Sequence, residues 1–378
     1  MNSSLCIQSC LFEFKTFVMK PMNAPATPKY QQIADELRHQ LREGVLRPGD
    51  RLPSLAEMQA SHQASRPTVE SAHALLEKEN LIVKRHGAGV FVRKPEQRAA
   101  QGVIGLSGAC FSFNGYSSYW AQIMGGVRDA VSAAGLQLLI LDPKISDGWE
   151  KADGVLLCDW NDSRTPRPCP PGLPLVSLLA PVEGVASVVA DDAGGMRAAT
   201  EYLISQGHRQ IAYLHAYDGQ SIASNRLAGY HGALQTAGIE EPKQWTRYLY
   251  GLYDFGVQFT NVARDTMQYW IEHGWSTLGC TALLCHNDEA ALGAMQALTA
   301  AGIRVPEDVS VIGFDGTSFC DLVSPKLSSI ELPLREIGAA SVEMLLRQIE
   351  ADEVRTEHKI LPTQLRVRES TAAPSRHS

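Results

Sequence analysis

The sequence predicts an α/β protein in two parts: a small module of three helices and a β-hairpin, then a larger body of doubly wound parallel sheets in two lobes. Three observations carry this. The chain has 378 residues, more than the roughly 100 to 200 that one core usually serves. Residues 29–93 pass from a helical apolar period to two short β-branched runs around a glycine-rich tip. From Val103 onward, β-branched runs alternate with helical patterns, the order of parallel strands covered on both faces.

Composition narrows the class. With 44% hydrophobic and 20% charged residues the chain is ordinary for a globular protein, which excludes a disordered one. No run of about 18 uncharged apolar residues offers a membrane span. The apolar stretch Leu11 to Met19 carries Glu13 and Lys15 and lacks a small-residue cleavage site, so no secretory signal is expected and the protein reads as cytoplasmic. Eight scattered cysteines form no Cys-x-x-Cys and have no His at zinc-finger spacing, which fits buried free thiols with neither metal nor cofactor. The net charge of -7 is unevenly placed: residues 29–94 hold 11 Lys+Arg against 8 Asp+Glu, and residues 95–378 hold 21 against 32. A basic module on an acidic body is the asymmetry expected where one part alone meets phosphate.

Residues 1–28 show no period and end in Pro21, Pro25 and Pro28, so a disordered, dispensable lead is expected, with Met19 or Met22 as candidate starts. Ile33, Leu37 and Leu41 then recur every four positions along a first helix, which Gly44 and Pro48-Gly49 stop. A second helix fits Leu55 to Ser61. A third starts at Ser65, whose hydroxyl can cap it, with Pro67 in the first turn, Val69, Ala72 and Leu76 on one face, and Asn80 as its end. Leu81 to Val83 and Val90 to Val92 frame a hairpin. Helices followed by such a hairpin have the order of a winged helix-turn-helix over 29–93, and polar residues 94–101 read as a linker.

In the body, strands fall at Val103–Leu106, Leu138–Leu141, Val155–Cys158, Leu175–Leu178, Ile211–Leu214, Ala282–Cys285 and Val309–Phe314, with a helix over Tyr119–Ala134. Only residues 142–154 separate two of these strands, room for a turn or two of helix. The body spans 102–370, one lobe from 102–189 and 332–351, the other from 190–331 and 354–370, with 371–378 as a tail.

Three ordered motifs mark the module: Pro48-Gly49-Asp50-Arg51-Leu52-Pro53-Ser54, Ser65-Arg66-Pro67-Thr68-Val69 and Gly87-Ala88-Gly89-Val90-Phe91-Val92. They resemble the DNA-binding domain of the GntR family. A recognition-helix N-terminus offers N–H groups to phosphate, and Arg66 can reach a guanine edge bidentately. The resemblance implies DNA contacts from Arg51, Ser54, Ser65, Arg66, Thr68, Gly87 and Gly89, and Lys84 and Arg85 fall on segments expected to face DNA, although a solvated hairpin tip explains Arg85 equally well. Two family arginine positions hold Ala56 and Glu70 here. Glu70 would repel phosphate unless it accepts from a cytosine amino group, so the operator cannot be borrowed from relatives.

The body resembles the effector domain of the LacI family, which shares the periplasmic-binding-protein fold. The resemblance rests on Asp192-Ala193-Gly194-Gly195, Gly207-His208-Arg209-Gln210-Ile211-Ala212, Arg226-Leu227-Ala228-Gly229-Tyr230, Asn287 to Gly293 and Val305 to Asp315. A GntR-type reader on this body is the arrangement of the arabinose-repressor family. The resemblance implies a ligand between the lobes, at the carboxyl ends of strands, contacted by Arg226, Asn287, Asp315 and Glu331 with Tyr119 and Trp120 in the first strand-helix loop. Phe255 is a further aromatic candidate. Asp288 suits a helix N-cap better than a ligand, and Trp120 suits the core nearly as well as the cleft. The Asp-Arg pair often found after one strand is here Leu179-Ala180, which removes a hydroxyl-binding pair.

The expected function is a DNA-binding transcription repressor, a homodimer on a palindromic operator, controlled by a small polyhydroxylated effector such as a sugar. A sugar-binding or sugar-processing protein without an operator is the alternative. No Gly-x-Ser-x-Gly, His-Glu-x-x-His or phosphate loop favours an enzyme, and an exported solute-binding protein would need a signal and no reading head.

Overall fold

The computed structural model describes residues 28–42, 45–47, 49–79, 81–85, 89–92, 101–108, 118–142, 148–158, 169–170, 172–216, 221–249, 259–351 and 356–375. The chain divides into two compact units, Met1–Lys94 and Pro95–Ser378.

The first unit holds α1 (Lys29–Arg42), α2 (Leu55–His62), α3 (Arg66–Lys78), β1 (Ile82–Arg85) and β2 (Gly89–Val92). Ile33 and Leu37 of the α1 stripe are buried with Ala34 against Met58, Val69, Ala72 and Leu76, so the helical period marks one small core. The strands β1 and β2 pair antiparallel from Ile82 opposite Val92 to Arg85 opposite Gly89. The segment before α2 adds to this hairpin: the N–H of Leu52 donates to the Val90 carbonyl at 2.9 Å and that of Val92 to Asp50 at 2.8 Å. Arg51 is thereby placed on the wing.

The second unit holds two six-stranded sheets. One is parallel throughout, built from β3 (Val103–Ser107), β4 (Gln137–Leu141), β5 (Gly154–Leu157), β6 (Leu175–Leu178), β7 (Ala186–Ala190) and β13 (His358–Leu361), in the order β13-β7-β6-β5-β3-β4. The other combines β8 (Ile211–Ala216), β9 (Thr246–Leu249), β10 (Ala282–Cys285), β11 (Ser310–Asp315), β12 (Ser328–Glu331) and β14 (Gln364–Arg366), in the order β14-β12-β11-β10-β8-β9, with β14 alone antiparallel. Helices α4 (Ser118–Ala133) and α10 (Leu334–Ala351) pack together in the first lobe. In the second, α5 (Asp192–Ser205) packs on α6 (Ser221–Thr236), and α7 (Phe259–Glu272) on α9 (Asp288–Ala300), with the one-turn α8 (Trp275–Leu278) beside α7. Among the described residues between β4 and β5 lies a 3₁₀ turn, Trp149–Lys151, pinned by the fully buried Trp149.

The chain passes between lobes after β7, after β12 and after β13. The last crossing corrects the expected lobe limits, because His358–Leu361 lies in the first sheet beside β7 and not in the second lobe. Its residues are mostly exposed, as suits an edge strand, so no apolar run marks where it belongs. The crossings touch one another: the Asp191 N–H donates to the Leu361 carbonyl at 2.9 Å, and the Leu332 N–H to Asp315 at 3.3 Å. Buried Cys158, Cys280, Cys285 and Cys320 form no disulfide among the described residues, and burial pushes Cys280 up to about 12, far from a reactive thiolate.

Candidate functional site

The first surface is the head of α3 with the adjoining wing. Ser54 caps α2 in a reciprocal box, its Oγ accepting from the Glu57 N–H at 3.3 Å while its own N–H donates to the Glu57 carboxylate at 2.7 Å. Ser54, expected among the DNA contacts, thus caps α2 as an acceptor and keeps its O–H to donate. Ser65 has N-cap backbone angles, but its hydroxyl makes no cap and meets the Thr68 hydroxyl at 2.8 Å. The N–H groups at the start of α3 therefore remain uncapped by that side chain, the condition for receiving an anion. Arg66 Nε donates to Glu70 at 2.9 Å one turn along the helix, so the arginine and the unexpected acid neutralise each other. Lys84 on β1 pairs with Glu77 of α3 at 2.9 Å, and Arg85 lies over the Phe91 ring at 5.0 Å. Gly89 has φ +118°, and a Cβ there would come within 2.9 Å of Arg51 Nε, so a glycine lets that guanidinium rest against the wing. Gly87 lies outside the described residues.

The second surface is the cleft at the carboxyl ends of the second sheet. Arg226 of α6 is buried and donates from Nε to Asp192 at 2.7 Å and from Nη1 to the His286 carbonyl at 2.6 Å. Its Nη2 stands 3.5 Å from Asp315, and its plane stacks on the Phe314 ring at 3.8 Å. Burial opposes the guanidinium charge, but Asp192 and Asp315 outweigh it and hold its pKa above the ordinary value. One cation cannot balance two buried carboxylates. Burial raises both, and Asp315, farther from the arginine and pressed by Asp288, Asp192 and Glu289, is raised well above its usual range. Asp315 also sits at φ 117°, a strained angle for a residue with a side chain, at the end of β11.

The helix N-cap expected of Asp288 falls to Asn287. Asn287 Oδ1 accepts from the Ala290 N–H at 2.8 Å and caps α9, while none of the described residues takes a hydrogen bond from its amide nitrogen. Asp288, one residue inside the helix, is buried and accepts from the Thr317 N–H at 2.7 Å, the Thr317 hydroxyl at 2.8 Å and the Ser329 hydroxyl at 2.5 Å. It ties α9 to the segments after β11 and in β12. Glu331 ends β12 half-buried, bonded by Arg366 at 3.0 Å and Arg368 at 3.3 Å.

Across the cleft, Tyr119 and Trp120 lie on the first turn of α4 and not in the preceding loop, in edge contact at 5.4 Å. Tyr119 is buried, and burial, then Asp315, raises its phenol, which also feels Arg226 and Asp192. The first lobe thus reaches the charged array of the second. Leu179 and Ala180, which stand where relatives often carry Asp-Arg, are both buried. Phe255 lies outside the described residues. The sequence reading missed Asp192, Phe314, His215 and His286. Asp192 stood within a quoted motif, and both histidines close apolar strand runs, which was the available signal.

Residues 29–92 match the model of bacterial regulatory proteins of the gntR family, and residues 200–371 match that of the periplasmic binding protein-like domain. The arabinose metabolism transcriptional repressor of Geobacillus stearothermophilus is 28% identical over 353 residues, 87% of this chain and 93% of that one. The HTH-type transcriptional regulator CelR of Thermobifida fusca is 30% identical over 267 residues, 67% of this chain and 76% of the other. A solved complex of the transcriptional regulator CelR with cellobiose aligns with a TM-score of 0.61 at 25% identity, over 82% of this chain and 92% of that one. Both resemblances read from the motifs are met, and relatives that regulate transcription make this chain a regulator and not an enzyme. It belongs to the helix-turn-helix transcription regulators that join a DNA-binding head of the gntR family to a LacI-type, periplasmic-binding-protein-like body.

Proposed function

We propose that this regulator is a cytoplasmic repressor, a homodimer on a palindromic operator, whose DNA affinity is set by a sugar held between the lobes of each body. The carrying observation is the buried array of Arg226, Asp192 and Asp315 with Tyr119 of the other lobe in its field. One guanidinium and the Asn287 amide supply donors, Asp192 and Glu331 supply acceptors, and the Asp315 carboxyl, its pKa raised, can do either, a mixture that suits hydroxyl groups. Tyr119 or Trp120 offers a ring for the C–H face of the sugar. The net charge of the body, with 32 acids against 21 bases over residues 95–378, disfavours an anion. The solved relative in complex with cellobiose supports the same class. Arg51, Arg66, Thr68, Lys84 and Arg85, with the wing glycines, form the DNA-facing set. A sugar that binds the two lobe arrangements unequally shifts operator affinity by that difference, on the order of 1 to 3 kcal/mol.

The test is calorimetry with neutral sugars, with and without operator DNA, on the wild type, Arg226→Lys and Asp315→Asn. Sugar affinity falls in both variants and differs between free and operator-bound protein. Unaltered affinity in both variants removes the cleft from the proposal.

A further inference from the structure

His215 is the penultimate residue of β8 and His286 directly follows β10, its neighbour in the sheet, so two imidazoles stand side by side at the floor of the cleft. Their rings meet edge to face at 5.9 Å, and both are buried, at 4% and 7% exposure. Neither Nδ1 has a hydrogen-bond partner among the described residues. The same signature appears in the facing lobe, where the Ser107 hydroxyl at the end of β3 and the Ser118 hydroxyl at the start of α4 are buried without a partner among the described residues. Buried polar atoms of a folded protein are nearly always bonded, so unpaired ones gathered at strand ends in a cleft mark positions that a ligand completes.

We propose that His215 and His286 form a specificity-determining subsite that reads two adjacent hydroxyls of a neutral polyol. The inference rests on the cleft reading given above and adds to it which face of the sugar is recognised.

Both rings are held neutral, His215 pushed down to about 4 by burial and then Arg226, and His286 lowered by burial, Arg226 and His215. A neutral imidazole has one donor and one acceptor nitrogen, and a hydroxyl, which both donates and accepts, satisfies either tautomer. A cation is repelled by Arg226, which is bonded to the His286 carbonyl itself. A carboxylate or phosphate only accepts, and it would lie beside Asp192, already ionised against the same arginine. Aromatic planes flank the pair: Phe259 stacks on His286 at 6.1 Å with 15° between the rings, and Tyr248 lies 5.5 Å from His215. Hydroxyls on the imidazole edges and C–H groups toward aromatic faces are what one edge of a sugar ring presents.

The full chain is titrated calorimetrically with D-glucose, L-arabinose, D-xylose and D-ribose, and with D-glucuronate and glucose 6-phosphate as anionic counterparts. For a neutral sugar that binds the wild type, His215→Leu and His286→Leu each weaken binding by about tenfold or more. His215→Asn and His286→Asn, whose amides reach the Nδ1 position, stay within about threefold of wild type. Without sugar, the leucine variants melt no lower than wild type, since each removes a buried unpaired nitrogen; lower melting points would make the pair packing residues and overturn the proposal. If Asp315→Asn loses the sugar while both leucine variants keep it, the cleft reading stands and the subsite falls. If Asp315→Asn and Arg226→Lys keep it too, the cleft reading itself fails. A wild type that answers only the anionic probes, or none of the panel, overturns the polyol class.

Discussion

At the start of α3, Arg66 and Glu70 hold each other at 2.9 Å with 68% and 48% of their side chains exposed; in the cleft, Arg226 and Asp192 meet at 2.7 Å with 5% and 7% exposed. The geometry is alike and the energetics are not. An exposed pair contributes about 0 to 1 kcal/mol, because water screens it and both side chains lose freedom in forming it. Arg66 can therefore exchange Glu70 for a phosphate or a guanine edge at little cost, which is what a DNA-reading surface requires. In the cleft the desolvation of both charges has already been met during folding, so Arg226 stays where Asp192, Asp315 and the Phe314 ring hold it. A ligand at the proposed site would meet a fixed set of groups. Exposure thus separates a surface that trades partners from one that keeps them.

The largest effect that can break this comparison is on stability. Arg226→Ala leaves Asp192 buried without its cation and lowers unfolding free energy by about 3 to 5 kcal/mol, whereas Arg66→Ala changes it by less than about 1 kcal/mol. Denaturant unfolding at neutral pH measures both, and equal losses would erase the distinction.

The next effect lies within the head. Arg66→Ala is expected to remove about 1 to 3 kcal/mol of discrimination between operator and random DNA, while Arg51→Ala, resting on the wing at Gly89, weakens both alike. Fluorescence anisotropy on operator fragments selected from a random library reads the two constants; a parallel loss on both DNAs in both variants would deny Arg66 a base contact.

The smallest effect concerns Glu70. Glu70→Gln frees Arg66 from its internal partner and removes a negative charge near the backbone, so non-specific affinity rises and the slope of log K against log salt steepens by about 1. A salt slope identical to wild type would put Glu70 out of reach of DNA.

The elements themselves were legible in the residues. The every-four stripe of α1, the apolar face Val69, Ala72 and Leu76 of α3, and strands such as Leu175–Leu178 and Ala282–Cys285 fall where periodicity placed them, because burial on one or both faces imprints a local pattern. Edge strands did not imprint one: His358–Leu361 faces water along most of its length, and only its pairing with β7 assigns it to the first lobe. The same limit governs the sites. Motifs singled out Arg226, Asn287 and Asp315, but the ties of Asp288 to Thr317 and Ser329, the upward shift of Asp315 beside Asp192 and Arg226, and the meeting of His215 with His286 depend on residues remote in the chain. Sequence by itself determined the two families of parts and their order. Tertiary structure alone decided the charge state and pairing of each group, because burial and the distance between groups remote in sequence set both.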